Sequence, residues 1–225
     1  MRIVVIRHDD VDFAGFVGDA FQARGAELAV HLFPGDGPLP ALSRVDHIVL
    51  LGSDSSVNDR DAWIARELDW LREADEAGVP VLGICFGAQA ICAAFGGRVE
   101  AMARQEIGWV MVDSLDRELI PAGPWLQMHG DRCLPPLQAT TLACNANGIQ
   151  ALTLSKHLAV QFHPEVDGAQ LKRWLDAGWK RDAERVGLDP DRLIADTIRE
   201  EPAARKRADR LVTTALAHAW TERGA

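Results

Sequence analysis

The chain is poor in positive charge and has no long apolar run. Of its 225 residues, 24 are Lys or Arg against 33 Asp or Glu, a formal net charge of −9. So few cations leave little to neutralise phosphates, which argues against nucleic acid or an anionic membrane surface as partner. No apolar stretch approaches the roughly 20 residues of a membrane helix. The opening "MRIVVIRHDD" has too short an apolar core for a signal peptide and no small-residue cleavage site, so it reads as a first strand of a cytoplasmic protein. Cysteine is scarce: Cys85, Cys92, Cys133 and Cys144 form no CxxC pair, so no metal clamp is implied. Without an export signal the thiols are expected reduced, three of them as small core residues. No GxxxxGK[ST] loop is present, so nothing visible would activate an acceptor with a nucleotide. No cofactor is implied, and there is no repeat, low-complexity segment or long linker.

Apolar residues make up 48% of the chain, enough at this length for one α/β domain with an appendage. "RIVVI", "ELAVHLF" and "DHIVLLG" read as strands, with a helix over 12–24 closed by Gly25 and a Pro/Gly loop from Pro34 to Pro40. Residues 60–77 predict an amphipathic helix whose apolar face carries Trp63, Ile64, Leu68, Leu71 and Ala74. Strands alternating with helices imply a parallel sheet, and near-continuous apolar strands imply one covered on both faces. Between 98 and 165 the pattern changes to short strands with little helix, "RVEAM", "GWVMVD", "PWLQMH", "TTLACN", "IQALTL" and "HLAVQF", which predicts an antiparallel extension. The fold class expected is α/β, a mostly parallel doubly wound sheet with that extension and a helical C-terminal tail. The domain division expected is 1–166 for the catalytic part and 167–225 for the helical extension.

"PVLGICFGAQAICAAFGG", residues 80–97, is a buried strand that turns at a cysteine into a glycine-punctuated helix. Gly83-Ile84-Cys85-Phe86-Gly87 has the form of a nucleophile elbow with Cys in place of Ser, the glycines permitting the turn and a close backbone approach. A thiol at a helix N-terminus is favoured as thiolate, and the Phe86 N–H points to where an oxyanion would form. A buried core cysteine in a tight turn is the plainer reading of the same stretch. Gln89 falls one turn on and on the same side; Cys92 falls in the buried face.

A nucleophilic Cys needs a base. Of seven histidines, at 8, 31, 47, 129, 157, 163 and 218, His163 stands out in "QFHPEVD". Pro164 keeps His163 extended, and in extended chain residues two apart face one way, so Glu165 can hold one ring nitrogen and leave the other for the thiol. "HPE" alone also has the form of a helix start with proline first.

With these residues the chain resembles the triad type of class I glutamine amidotransferases, over roughly residues 1–166, through "GICFGAQ" and "QFHPE", and more weakly through "EIGW" at 106–109 and "HGD" at 129–131. The resemblance implies a flavodoxin-like fold and attack of Cys85 on the side-chain amide of glutamine. Ammonia would leave, and a γ-glutamyl thioester would be hydrolysed with His163 as base and then acid, oriented by Glu165. It also implies that Gln89 contacts bound glutamine and that His129 and Gly130 lie near its α-amino and carboxylate end. The loop after the third strand, Gly-Gly-Pro in the family, here reads "GSDSSVND", with Gly52, Ser56 and Val57 still in place. Ser53 then replaces the glycine whose N–H joins that of Phe86 in the oxyanion hole, and a side chain there requires permissive φ and ψ. His129 also reads as a polar strand-end residue, and Trp109 as a packing residue.

The tail reads as three helices, "GAQLKRWLDAGWKRDAERVG", "DPDRLIADTIREE" and "AARKRADRLVTTALAHAWTERG", with a break at Pro202. Leu211, Val212, Ala215, Leu216, Ala219 and Trp220 share one face of the last, to pack on the domain or on a second copy in a homo-oligomer. The run Arg205-Lys206-Arg207 reads as a solvated face. Three functions remain open: a glutaminase passing ammonia to a separate synthase subunit, a γ-glutamyl hydrolase acting on a peptide or amine, and a binding protein that turns over nothing.

Overall fold

The computed structural model describes the backbone of residues 1–221 and the side chains of residues 1–217. Nine strands form one sheet: β1 (Arg2–Arg7), β2 (Glu27–Leu32), β3 (His47–Leu50), β4 (Val81–Ile84), β5 (Arg98–Ser114), β6 (Gly123–Leu134), β7 (Thr140–Asn145), β8 (Gly148–Leu154) and β9 (His157–Val160). Their order is β2-β1-β3-β4-β9-β8-β7-β5-β6. The first five pair in parallel, with Leu50 opposite Gly83 and Ile84 opposite Val160; from β9 onward every pairing is antiparallel. The parallel part has the 2-1-3-4-5 order of a flavodoxin-like sheet, with β9 as its fifth strand.

Helix α1 (Gly15–Ala23) joins β1 to β2, α2 (Ala62–Glu76) joins β3 to β4, and α3 (Phe86–Ala94) follows β4. The strand residues alternate between two cores. Ile3, Val5, Val49 and Leu51 pack with Val17 and Phe21 of α1. Val4, Ile6, Ile48 and Leu50 pack with Ile64 and Leu71 of α2 and with Ile91 of α3. A sheet covered on both faces is what such continuous apolar strands require. Among the described residues no helix is long and apolar enough to cross a membrane.

Several boundaries differ from the sequence expectation. "RVEAM" and "GWVMVD" are one strand, β5, whose register against β6 slips between Ala101 and Glu106. A bulge keeps the strand continuous while re-aiming its side chains, which periodicity alone does not reveal. The first helix begins at Gly15 and not at residue 12: Gly15 has φ 43°, outside the helical region, and the Phe16 N–H donates to the Glu165 carbonyl at 2.9 Å. Cys92 and Cys133 are buried, whereas Cys144 is half-buried.

The tail differs most. It contains α4 (Gly168–Trp174), a π-helical turn at Leu175–Trp179, α5 (Lys180–Arg185) and one long helix, α6 (Pro190–Thr221), which runs through Pro202 without a break. Proline deprives the Ile198 carbonyl of its helical donor, but Ile198 is 55% exposed, so water can take that place. Leu211, Val212 and Ala215 are buried in the central core with α1, so this face covers the domain itself; Leu216 is partly buried beside them. The side chains of Ala219 and Trp220 lie outside the described residues. The basic run is not uniformly solvated: Arg207 is half-buried, its guanidinium 5.4 Å from the Trp125 ring and 3.6 Å from Glu200.

Candidate active site

In an open α/β sheet, ligands bind beyond the C-terminal ends of the parallel strands, where loops diverge. His8 follows β1, Gly52 and Ser53 follow β3, Cys85 follows β4, and His163 with Glu165 follows β9. Residues far apart in the chain are thereby brought to one rim of the sheet.

Cys85 sits between β4 and α3 with φ 54° and ψ −107°, a conformation rare for a residue with a side chain. Holding it there costs about 1–3 kcal/mol, supplied by the surrounding packing. The flanking glycines explain how. A Cβ on Gly87 would lie 2.2 Å from the Leu50 carbonyl oxygen, and one on Gly83 would lie 2.5 Å from that of Gly87. No other residue lets α3 approach β3 and β4 so closely. The Cys85 N–H donates to the Val160 carbonyl at 2.8 Å, which ties the turn to β9.

His163 is held by its own backbone, whose N–H donates to the Leu126 carbonyl at 2.9 Å. Its ring is edge-on to Trp174, centroids 4.7 Å apart. His163 Nδ1 lies 2.7 Å from Glu165 Oε1, and both side chains are buried. The Pro164 spacer places them on one side, as extended backbone requires; the following helix, α4, starts only at Gly168, capped by Asp167. Nε2 is buried with no partner of ordinary hydrogen-bond geometry among the described residues, and the group that couples to the ring there is the Cys85 sulfur. Burial by itself would lower the His163 pKa, but Glu165 and Cys85 beside the ring outweigh it and hold it well above the usual histidine range.

Two chambers meet at Cys85. The larger, about 180 Å³, is lined by Ser53, Ser56, Gln89, His129, Gly130 and Asp131. Gln89 is buried there, its Nε2 3.3 Å from Gln161 Oε1. His129 lies within β6 and not at a strand end; its Nε2 is 3.1 Å from Glu106 Oε2 and its Nδ1 2.8 Å from the Asp131 carbonyl. The smaller chamber, about 30 Å³, is lined by Gly52, Ser53 and His163. Trp174, Ala177 and Trp179 of the tail close its other side. Among the described residues, only Cys85 and Ser155 are non-glycine residues with left-handed φ, so Ser53 carries its side chain without that strain. The Ser53 hydroxyl accepts from the Ser55 N–H at 3.1 Å.

Several residues here had no expected role. Glu106 of "EIGW" is buried and receives Asn145 Nδ2 at 2.8 Å and Gln150 Nε2 at 3.2 Å besides the His129 ring. Burial would raise its pKa, but the His129 hydrogen bond and its neighbours outweigh that and hold it low. Trp109 packs as expected, and donates to Thr197 Oγ1 at 2.9 Å. Asp12 is buried, which pushes its carboxyl up to about 6 although Trp174 donates to it. Trp179 Nε1 donates to Asp54 Oδ1 at 2.7 Å. Glu67 is fully buried on α2 and paired with His8. Its sequence signal was available: it stands in register with Ile64, Leu71 and Ala74, on the apolar face. For Asp12, Asp54 and the tail tryptophans no local signal existed.

The model of the class I glutamine amidotransferase family matches residues 13–177 of the chain. Among curated relatives, a glutamine-hydrolysing GMP synthase of Wolbachia pipientis is 31% identical over 185 residues, covering 72% of this chain and 35% of its own length. One of Thermomicrobium roseum is 37% identical over 158 residues, 65% of this chain and 29% of its own length. The chain thus spans about a third of the length of these relatives. Among solved structures, a glutamine amidotransferase from Thermotoga maritima superposes with a TM-score of 0.87 at 26% identity, over 96% of this chain and 97% of that one. One from Methylobacillus flagellatus does so with a TM-score of 0.87 at 21% identity, which bears on the fold alone.

Proposed function

The chain belongs to the class I glutamine amidotransferases, and from that premise we propose that it hydrolyses the side-chain amide of glutamine at Cys85 and delivers the ammonia to a separate synthase. The Cys85 thiolate attacks the amide carbon. The oxyanion that forms is met by the N–H groups of Ser53 and Phe86. His163, protonated on Nε2, gives that proton to the departing nitrogen, so ammonia and a γ-glutamyl thioester result. Water then attacks the thioester, passes its proton to His163, and frees glutamate and the thiolate. Glu165 keeps Nε2 directed at the sulfur and steadies the imidazolium. Gln89, His129 and Gly130 hold the α-amino and carboxylate end in the larger chamber.

The observation that carries the reading is the coupling of His163 to Glu165 at 2.7 Å on one side and to Cys85 on the other, in a shared pocket. Similarity to glutamine-hydrolysing synthases favours glutamine over bulkier γ-glutamyl amines as the substrate. Ammonia release from glutamine, set beside amine release from a series of γ-glutamyl amides, tests it. The expected result is a kcat/KM that falls as the leaving group grows. A larger kcat/KM for an amide with a bulky amine would replace this reading with γ-glutamyl hydrolysis, and no turnover of any of them would leave a binding role.

A further inference from the structure

The buried pair of His8 and Glu67 has no part in the mechanism above, yet it touches both halves of the oxyanion hole. The His8 side chain is 3% exposed and that of Glu67 0%. His8 Nε2 lies 3.0 Å from Glu67 Oε1 and 3.2 Å from Oε2, and Nδ1 lies 2.8 Å from the Gly52 carbonyl oxygen. A carbonyl and a carboxylate both only accept, so Nδ1 and Nε2 each carry a hydrogen and the ring is the charged imidazolium. The ring also packs against Trp63, centroids 5.2 Å apart, and edge-on against Phe86 at 5.0 Å.

Gly52 and Ser53 are joined by a trans peptide, in which the carbonyl of one residue and the N–H of the next point in opposite directions. Whatever grips the Gly52 oxygen therefore aims the Ser53 N–H the other way. Ser53 lines both chambers at Cys85, and His8 lines neither. Glycine at 52 leaves this peptide free to rotate unless something holds it. A Cβ there would stand 3.3 Å from His163 Cε1 and 3.7 Å from Cys85 Cβ, so the peptide lies directly against both reacting groups.

We propose that His8, locked by Glu67, is a positioning residue that fixes the Gly52–Ser53 peptide so that the Ser53 N–H faces the oxyanion formed at Cys85. This rests on the hydrolytic reading of the site. It also explains why a fold would keep a buried ion pair where apolar residues would be at least as stable. Ser53 has an ordinary backbone conformation, and the hydrogen bond from His8, just past β1, to the preceding carbonyl holds the peptide.

The test separates oxyanion stabilisation from thiol reactivity. His8→Phe keeps ring packing but leaves Glu67 buried and unpaired, so it is made together with Glu67→Leu, which removes the orphaned charge and preserves the fold. Alkylation of Cys85 by iodoacetamide is a displacement that forms no oxyanion, and its rate follows the thiolate; in the double variant it should stay within about threefold of wild type. Acylation by glutamine or γ-glutamyl p-nitroanilide needs the hole, and its kcat should fall roughly 10²–10³-fold with KM little changed. A crystal structure of the double variant should show the Gly52–Ser53 peptide rotated. Equal loss in alkylation and acylation, or full activity with an unmoved peptide, would overturn the proposal. Absence of turnover in the wild type would instead defeat the hydrolytic reading, and the peptide orientation would still decide whether His8 positions it.

Discussion

His163 Nδ1 and Glu165 Oε1 stand 2.7 Å apart in a buried site, two residues apart in the chain and oriented by the proline between them. If Glu165 acts only through this ring, its loss has no meaning once the ring is gone. Glu165→Gln should lower turnover roughly 10–10³-fold, less than His163→Ala or Cys85→Ala. Combining Glu165→Gln with His163→Ala should reduce it little beyond His163→Ala alone. Steady-state rates of the two single variants and the double variant decide this; losses that multiply would mean that Glu165 acts elsewhere.

Cys85 is 6% exposed, whereas Cys144 is half-buried and the more open of the two. Accessibility alone would direct a thiol reagent to Cys144. Brief treatment with limiting haloacetamide, followed by peptide mapping, should nonetheless find Cys85 labelled first, because it stands on the turn at the start of α3 with the His163 ring beside it.

Asp12 titrates near 3.8 as an ordinary carboxyl and near 6 in the fold, where burial disfavours its charge. The native state therefore keeps a proton that the unfolded chain has lost between those values, and this group makes stability fall as pH rises across that window. The gap corresponds to on the order of 3 kcal/mol. Asp12→Asn keeps the acceptor for Trp174 Nε1 and removes the charge. Thermal unfolding should show the variant more stable than wild type at pH 8 and nearly equal to it at pH 4.

Glu106 anchors His129 from beneath the larger chamber, 3.1 Å from its Nε2. Glu106→Gln should loosen the His129 ring that lines the larger chamber, where the proposed reading places the α-end of glutamine. Raised KM for glutamine with kcat nearly unchanged is expected, the signature of lost uniform binding. An equal fall in kcat and kcat/KM would place Glu106 in the chemistry instead.

Cutting the chain after Glu201 severs α6 in its interior and removes Leu211, Val212 and Ala215 from the central core. A buried Leu or Val contributes about 1.5–3 kcal/mol, so the loss of two approaches the whole net stability of a small domain. Such a truncate should be unfolded or aggregated by circular dichroism and gel filtration. Retained turnover in a folded truncate would show that α6 is dispensable.

The strand and helix periods, the elbow at Cys85 and the His163–Glu165 pair were legible in the amino-acid sequence, because each is a short-range pattern. Near-continuous apolar strands state that the sheet is covered on both faces; glycines two residues either side of a cysteine state a tight turn; a proline between two polar residues states that they share a side. What only the tertiary structure decided depends on groups distant in the chain. Pro202 lies inside α6, one turn after the exposed Ile198. Arg207 leaves the solvent for the Trp125 ring, 82 residues away by the numbering. Trp174 and Trp179 of the tail close the chamber that begins at Gly52 and Cys85. His8 and Glu67, 59 residues apart, meet only because β1 and α2 are brought together around the same sheet edge of the site. Local sequence encodes backbone preference and which side of an element is apolar; which charges and rings then share a buried volume is set by the packing of whole elements, and that no single segment can state.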